Sequence, residues 1–171
     1  MTDFRRVLEA LAEKGVAHVV IGGLAVGLQG SAYRTEDVDI VYARDRENVE
    51  RLVAAIEPFK PRLRVPGEPD GVAFRFDVQS VLNGANFTMT TEIGDIDILA
   101  TVAGLGDYDA VLKYAEQILV ISESEPTLVL SLEGLIISKR AANRTKDLLV
   151  IPELESMHEL RLIEQNAPDG E

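Results

Sequence analysis

Two aspartates separated by one residue are the part of this sequence best suited to chemistry. Asp37 and Asp39 flank Val38 in an apolar run that ends at Tyr42. Side chains two positions apart on a strand point to the same face of a sheet, so the two carboxylates would lie side by side. Neighbouring carboxylates repel each other unless a cation lies between them, and a divalent metal ion prefers oxygen ligands of this kind. The pair therefore predicts a metal site.

Two glycines precede these acids. Gly22 and Gly23 follow the apolar segment 16–21, and the segment 24–29 behind them predicts a short helix. Glycines at the start of a helix let the backbone approach a phosphate, and the helix N-terminus adds partial positive charge there. A tight strand-to-helix turn without a ligand explains the same two glycines, so both interpretations stay open for them alone. A phosphate site next to a metal site indicates nucleotide chemistry.

A third acid lies in a second strand of similar pattern, GDIDIL at residues 94–99. Asp97 is flanked by isoleucines and lies inside the strand, whereas Asp95 follows Gly94 directly and is expected to belong to the turn. If the two strands are neighbours, Asp97 completes a site of three carboxylates with Asp37 and Asp39. Each acid alone is explained by a solvated strand face, but the ordered set of strand, glycines, helix and acids favours the metal site.

Basic residues cluster near the end of a later apolar helix. Lys139 has helical spacing from Leu132, Leu135 and Ile136, and it can reach a phosphate or simply favour the helix dipole at the surface. The other members of the cluster are Arg140, Arg144 and Lys146. Arg144 and Lys146 can serve the nucleotide or an RNA acceptor, and Asp147 is expected to pair with one of them.

Arg34 precedes the aspartate pair by three residues. It can bind phosphate or acceptor, or it can pair with Glu36 or Asp37 and hold the loop. Both interpretations stay open. For Thr35, hydrogen bonding to the loop backbone is the expected role.

The elements that must position these residues alternate between helices and strands. Helical spacing predicts helices over 3–14, capped by Thr2, and over 24–29, 46–56, 77–82, 108–115, 131–142 and 146–165, the last interrupted near Pro152. Strands are predicted over 16–21, 37–42, 72–76, 118–122 and 127–130, and a hairpin joins 86–92 to 95–101. Residues 58–71 are interpreted as a loop or irregular edge strand, and residues 166–171 as a frayed tail. This mixture predicts the α+β class, with a mixed β-sheet flanked by helices and a small C-terminal helical cap.

Composition bounds the class of protein. The 171 residues are 46% apolar, which predicts a single domain, residues 1–171, with a core over about 1–130 and C-terminal helices over about 131–166. Cysteine is absent, which excludes a disulfide scaffold and a thiolate metal site. The net charge of −12 gives no general attraction to duplex DNA or to an anionic membrane. The N-terminus is not a signal peptide and no apolar stretch would span a bilayer, so we expect a cytoplasmic protein.

The ordered motifs resemble those of nucleotidyltransferases of the DNA polymerase beta superfamily. The superfamily pattern is a Gly-Gly or Gly-Ser turn, a short helix, an Asp-x-Asp strand and an acid on a later strand. Here these are Gly22-Gly23, Asp37-Val38-Asp39 and Asp97. A closer resemblance, to bacterial minimal and abortive-infection toxin-type (AbiEii) nucleotidyltransferases, rests on Arg34 and Thr35 ahead of the acids and on the segment 131–154. The matching segments span about residues 16–155, and Gly23 stands where many relatives have serine.

The resemblance implies a chemistry. A nucleoside monophosphate would pass from an NTP, such as ATP, to a hydroxyl acceptor, and pyrophosphate would leave. Two Mg²⁺ ions would be held by Asp37 and Asp39, and Asp97 would complete the site and accept the proton of the attacking hydroxyl. The phosphates would contact Gly22, Gly23 and Lys139.

The resemblance leaves the acceptor open. The toxin-like motif favours RNA such as tRNA and, in a toxin-antitoxin pair, an antitoxin protein as partner. The net acidity favours a small hydroxyl compound such as an antibiotic. A catalytically inactive module that binds a nucleotide or a partner is the alternative function, although three intact, mutually repelling acids argue against it.

Overall fold

The computed structural model describes residues 1–121 and 126–166. The strands are β1 (His18–Ile21), β2 (Asp37–Tyr42), β3 (Arg62–Val65), β4 (Glu68–Val72), β5 (Asn86–Thr91), β6 (Gly94–Leu99), β7 (Thr101–Val102), β8 (Gly106–Asp107), β9 (Ala115–Ile118) and β10 (Thr127–Leu130). The helices are α1 (Phe4–Glu13), α2 (Gly22–Leu28), α3 (Arg46–Ile56), α4 (Val78–Asn83), α5 (Tyr108–Val111), α6 (Leu132–Ala142) and α7 (Thr145–Asn166). Short 3₁₀ turns cover Glu57–Phe59 and Leu112–Tyr114.

Eight of these strands form one mixed sheet in the order β4-β3-β5-β6-β2-β1-β10-β9, while β7 and β8 form a separate small hairpin. The two strands that carry the aspartates, β2 and β6, lie in the middle of the sheet and run parallel. Strand β1 is antiparallel to β2 and parallel to β10. The structure therefore confirms the predicted class, a mixed sheet flanked by helices.

Alternation along β2 divides its side chains between two faces of the sheet. Val38, Ile40 and Tyr42 are fully buried on the face opposite the aspartates. Helix α1 contacts β2 and packs on α3, and burial of one large apolar side chain there stabilises the fold by about 1.5–3 kcal/mol. One face of β2 is therefore core, and on the other face Asp37 and Asp39 stay half-buried while Val41 is buried.

The N-terminal segment contacts both aspartate strands at their first residues. Asp3, not Thr2, caps α1, because the Asp3 side chain accepts the backbone N–H of Arg6. The buried Thr2 hydroxyl instead donates to the carbonyl of Glu36 and accepts the backbone N–H of Asp95 at 3.0 Å. The predicted Thr2 cap is thus wrong, and Thr2 ties the start of β2 to the start of β6.

Two other expectations differ from the structure. The predicted strand 72–76 is wrong because Val72 already ends β4, which pairs with β3 in a hairpin. Helix α7 continues through Pro152, although an interruption was expected there. Proline has no backbone N–H, so one hydrogen bond of the helix is missing. The carbonyl that would have accepted it lies on a solvent-facing turn beside Leu148 and Leu149, where water can bind to it.

The remaining elements agree with the sequence to within a few residues. The predicted bounds of β2, α3 and β10 are those observed, whereas β9 begins at Ala115, three residues before the predicted strand. The expected fraying of the tail falls on residues 167–171, outside the described part of the chain. None of the helices in the described ranges combines the length and the apolar character needed to cross a bilayer.

Candidate active site

Strand pairing brings the acids of β2 and β6 together in one row across the sheet. Asp39 is the register partner of Ile21 on β1 and of Asp97 on β6, and Asp97 is also the partner of Thr88 on β5. Two residues earlier on each strand, Asp37 is the register partner of Asp95. The two aspartate strands are therefore direct neighbours, which is the condition that the sequence pattern required.

Three of these carboxylates converge to a spacing that suits a metal ion. Asp37, Asp39 and Asp97 each offer one oxygen, and the three oxygens lie within 4.8 Å of one another. All three side chains are half-buried and offer only oxygen ligands, which is the donor set that Mg²⁺ takes. Among the described residues this is the group of acids that fits a metal, and it consists of the three predicted ligands.

Proton affinities reflect how closely the acids are held. Burial, together with the negative charges of Asp37 and Asp97, raises the pKa of Asp39 to about 7. Burial likewise raises the pKa of Asp97 to about 6, although the nearby Arg64 guanidinium works against the rise. Since the charged forms are disfavoured without a counter-ion, an added cation would be bound favourably between them.

The glycine turn packs directly against this cluster. Gly22 begins α2 with a φ of +64°, and a β-carbon there would overlap the Asp39 carboxylate, with Cγ only 2.7 Å away. Glycine is therefore required at position 22 both for its backbone conformation and for the close approach of Asp39.

Gly23 faces a different neighbour. A β-carbon at position 23 would lie 2.6 Å from Cβ and 2.7 Å from Oγ1 of Thr35. The Thr35 hydroxyl in turn donates to Asp37 Oδ1 at 2.6 Å. The space that a serine at position 23 would fill thus belongs to Thr35. Its hydroxyl contacts the backbone carbonyl of Asp37 at 3.5 Å, as expected, and makes its shorter hydrogen bond to the Asp37 side chain.

A cavity of about 480 Å³ opens in front of the acids. Asp39 and Asp97 lie on one wall, and the opposite wall belongs to α6 and α7 with the turn between them. Apolar side chains also line the cavity, and they are Ile21, Leu99, Val102, Ala103, Leu135 and Ala142.

Two cations, Lys139 and Arg144, and one acid, Asp147, line the helical side of the cavity. Lys139 is buried, and its Nζ lies 3.0 Å from Oδ1 of the buried Asp147. Arg144 Nε donates to the other oxygen of Asp147 at 2.6 Å. Burial alone would raise the pKa of Asp147, but the hydrogen bonds from Arg144 and Lys139 outweigh it and hold the pKa below its usual range. Lys139 also lies 5.7 Å from the centre of the Tyr33 ring, a cation–π contact.

The structure brings together most of the predicted site residues. Gly22, Asp39, Asp97 and Lys139 line the cavity, and Asp37 adjoins them in the metal-binding group. Gly23 does not line the cavity and lies against Thr35 and Tyr33. Arg34 is exposed and not part of the lining, and within the described ranges it pairs with neither Glu36 nor Asp37.

Sequence reasoning missed one functional group of the site, Arg64. This residue lies on β3, two strands away from β6, and its guanidinium forms ion pairs with Asp95 and Asp97. The alternation of Lys60, Arg62 and Arg64 could have indicated an extended strand. Nothing in the local sequence could have shown that Arg64 reaches across β5 to the acids, because that contact depends on the sheet order.

Comparison with known proteins agrees with this architecture. No protein-family model matches the sequence, and no curated protein does. Among solved structures, the chain is similar to the lincomycin-bound lincosamide antibiotic adenylyltransferase LnuA, with a TM-score of 0.59, 16% identity, and coverage of 91% of this chain and 98% of that one. A Thermotoga maritima protein provisionally described as a nucleotidyltransferase gives a TM-score of 0.48 and 18% identity, with 96% of each chain covered. At these identities the likeness concerns the fold: the chain has the nucleotidyltransferase fold.

Proposed function

We propose that this protein is a Mg²⁺-dependent nucleotidyltransferase that transfers a nucleoside monophosphate from an NTP to a hydroxyl acceptor. One observation carries the proposal: three carboxylates from neighbouring strands converge, and two of them line a cavity that Lys139 and Arg144 also line. Oxygen ligands for a metal and cations for phosphates thus face each other within the fold of the nucleotidyltransferases.

Each group has a task in this chemistry. Asp37, Asp39 and Asp97 would hold two Mg²⁺ ions, which when bound neutralise the triphosphate and stabilise the charge that develops in an in-line displacement. Lys139 and Arg144 would contact phosphate oxygens from the helical wall. Gly22 would contact a phosphate through its backbone, and its missing side chain lets Asp39 lie directly beside that backbone.

The transfer step conserves atoms and charge. The acceptor oxygen forms a bond to the α-phosphorus, and the bond from that phosphorus to the bridging oxygen breaks. Pyrophosphate leaves with the electron pair of the broken bond. Asp97 would accept the proton of the acceptor hydroxyl, directly or through water.

For the acceptor we favour a small hydroxyl compound over RNA. The net charge of −12 repels a polyanion and is compatible with a small neutral or cationic acceptor. The similar structure LnuA is an antibiotic adenylyltransferase that binds lincomycin, a precedent on this fold for an acceptor of this size.

Thermal melting tests nucleotide binding. Saturating ATP, CTP, GTP or UTP should raise the melting temperature only when Mg²⁺ is present, because a ligand that binds the folded state stabilises it. Asp39→Asn should abolish this rise. Glu36→Gln is the matched control, since it removes an exposed carboxylate next to the predicted ligands and should keep the rise. If no nucleotide raises the wild-type melting temperature in a metal-dependent way, the enzyme proposal fails.

A transfer assay then separates the acceptors. NTPs labelled at the α-phosphate are incubated with lincosamides, with aminoglycosides or with bulk tRNA. Label on a small compound supports the favoured acceptor class, and label on tRNA replaces it with the RNA alternative. Metal-dependent binding without transfer to any acceptor would favour the non-catalytic module.

A further inference from the structure

A guanidinium group occupies the acidic cluster of the protein. Arg64 extends from β3 across β5, where its Nη2 donates to Asp97 Oδ1. Its Nη1 donates to Asp95 Oδ2 at 3.0 Å and lies 3.9 Å from Asp37 Oδ2. One cationic side chain thus faces two of the three predicted metal ligands.

Arg64 and a divalent metal ion need the same oxygen atoms. A carboxylate oxygen that accepts a hydrogen bond from Arg64 has one lone pair fewer for a metal. The positive charge of Arg64 also opposes the entry of a second cation. Its side chain is only 31% exposed, so solvent screens this opposition less than it would for a surface pair.

Asp95 gives the guanidinium a second partner. It is not part of the three-carboxylate group that fits a metal, although it neighbours Asp37 in the register of β2 and β6. Its backbone N–H is held by the buried Thr2 hydroxyl, which fixes the start of β6. Arg64 can therefore leave Asp97 and keep an ion pair with Asp95.

We infer that Arg64 is the internal counter-ion of the metal site. In the metal-free protein it neutralises Asp97 and Asp37, it competes with a divalent metal for Asp97, and Asp95 retains it when the metal enters. This inference rests on the proposed function. It assigns to Arg64 the role of setting the metal affinity of the protein in the absence of nucleotide.

Binding of Mn²⁺ alone tests the inference. Free Mn²⁺ is measured by electron paramagnetic resonance while it is titrated into the full chain without nucleotide. Arg64→Gln should bind Mn²⁺ about 2- to 5-fold more tightly than wild type, since an exposed or half-exposed ion pair contributes a factor of this size. Arg62→Gln is the matched control. This variant removes the same charge from the same strand, but Arg62 contacts the carbonyls of Asp70 and Gly71 instead of the acids. The Mn²⁺ affinity of Arg62→Gln should therefore stay at the wild-type value.

Thermal melting gives an independent readout. Without metal, Arg64→Gln should melt below wild type, because the acids lose their counter-ion. Saturating Mn²⁺ should close this gap, because the metal then supplies the missing charge. A gap that persists unchanged at saturating Mn²⁺ would identify Arg64 as a purely structural residue and overturn the inference.

The outcomes separate this inference from the proposed function. If wild type binds Mn²⁺, Asp39→Asn loses that binding and Arg64→Gln equals wild type, only the counter-ion role is overturned. If neither wild type nor Arg64→Gln binds Mn²⁺, the proposed function and the inference both fail. Should Arg64→Gln not fold, Arg64→Ser removes the same charge with a smaller side chain, and it should also bind Mn²⁺ more tightly than wild type. Equal or weaker binding by the serine variant would overturn the inference.

Discussion

The α-carbon of Gly22 and the carboxylate of Asp39 are in such close contact that no other side chain fits at position 22. A β-carbon there would lie 2.7 Å from Cγ and 2.9 Å from Cβ of Asp39, and the φ of +64° already disfavours any residue but glycine. The glycine turn and Asp39 are therefore a single packed unit.

Replacement of this glycine should damage both stability and metal binding. We expect Gly22→Ala to lower the free energy of unfolding by about 3 kcal/mol or more and to weaken Mn²⁺ binding, because Asp39 must move. Gly15→Ala is the matched control: its φ is +63° but nothing lies within 4 Å of the added carbon, so only the conformational cost of about 1–2 kcal/mol applies. Denaturant unfolding measures both variants, and equal losses would contradict the steric argument.

Gly23 and Thr35 should show energetic coupling. Gly23→Ser introduces the serine of many relatives, but its β-carbon would collide with Cβ of Thr35, so we expect a loss of about 1–3 kcal/mol. Thr35→Gly removes the colliding atoms, and the double variant should be more stable than the sum of the single losses predicts. A double-mutant cycle by denaturant unfolding measures the coupling, and strictly additive losses would show that Thr35 does not occupy the serine position.

Stability should fall with rising pH through the titration of Asp39. Because burial and like charges raise its pKa to about 7, the folded protein retains a proton that the unfolded chain releases above about pH 4. The stabilisation from this proton is complete below about pH 4 and is lost as the pH rises to about 7, with a slope of up to ~1.4 kcal/mol per pH unit. Asp39→Asn lacks the group, so its unfolding free energy relative to wild type should increase over that window. A relative stability that is constant from pH 4 to 8 would contradict the assignment.

The buried pair between α6 and α7 should be far more costly to break than its exposed counterpart. Asp147→Asn leaves Lys139 buried without a charged partner and should cost about 3–5 kcal/mol. Arg140 and Glu155 join the same two helices at the surface, and Arg140→Gln should cost no more than about 1 kcal/mol. Denaturant unfolding compares the two variants, and similar losses would show that Lys139 finds water or another partner when Asp147 is neutral.

The ion pair between Lys139 and Asp147 also concerns the role predicted for Lys139. The family resemblance suggested a cation that reaches the triphosphate, with a solvated helix end as the alternative. Lys139 is buried in the cavity wall, and its amino group is already bonded to Asp147. Lys139→Met should therefore weaken NTP binding in the presence of Mg²⁺ by about tenfold, the loss of one charge-assisted hydrogen bond. Isothermal titration of the variant and of Arg140→Gln as control measures this, and unchanged affinity would assign Lys139 to structure alone.

Local patterns predicted the elements well, and long-range contacts explain what they missed. Alternation of buried and acidic residues fixed the bounds of β2, and the repeated pattern around Asp97 correctly indicated a second strand of the same kind. The role of Thr2 was missed because its partners, Glu36 and Asp95, are far away in sequence. The cation among the acids was missed for the same reason, since Arg64 lies on a hairpin whose place in the sheet follows from pairing with β5. Periodicity reports which face a residue occupies, and it carries no information about which strand lies next to it.

The central place of β2 and β6 has a consequence for how such a protein can change. Three strands lie beyond each of them in the sheet, so we expect the proposed metal ligands to be among the residues that open last in hydrogen exchange. Peripheral positions are not all equivalent, because Arg64 on β3 contacts Asp95 and Asp97. Changes that keep Arg64, such as a different turn between β3 and β4 or a different C-terminal end of α7, should leave the acids in place. Libraries that aim to change the acceptor of the proposed reaction should vary those two segments first.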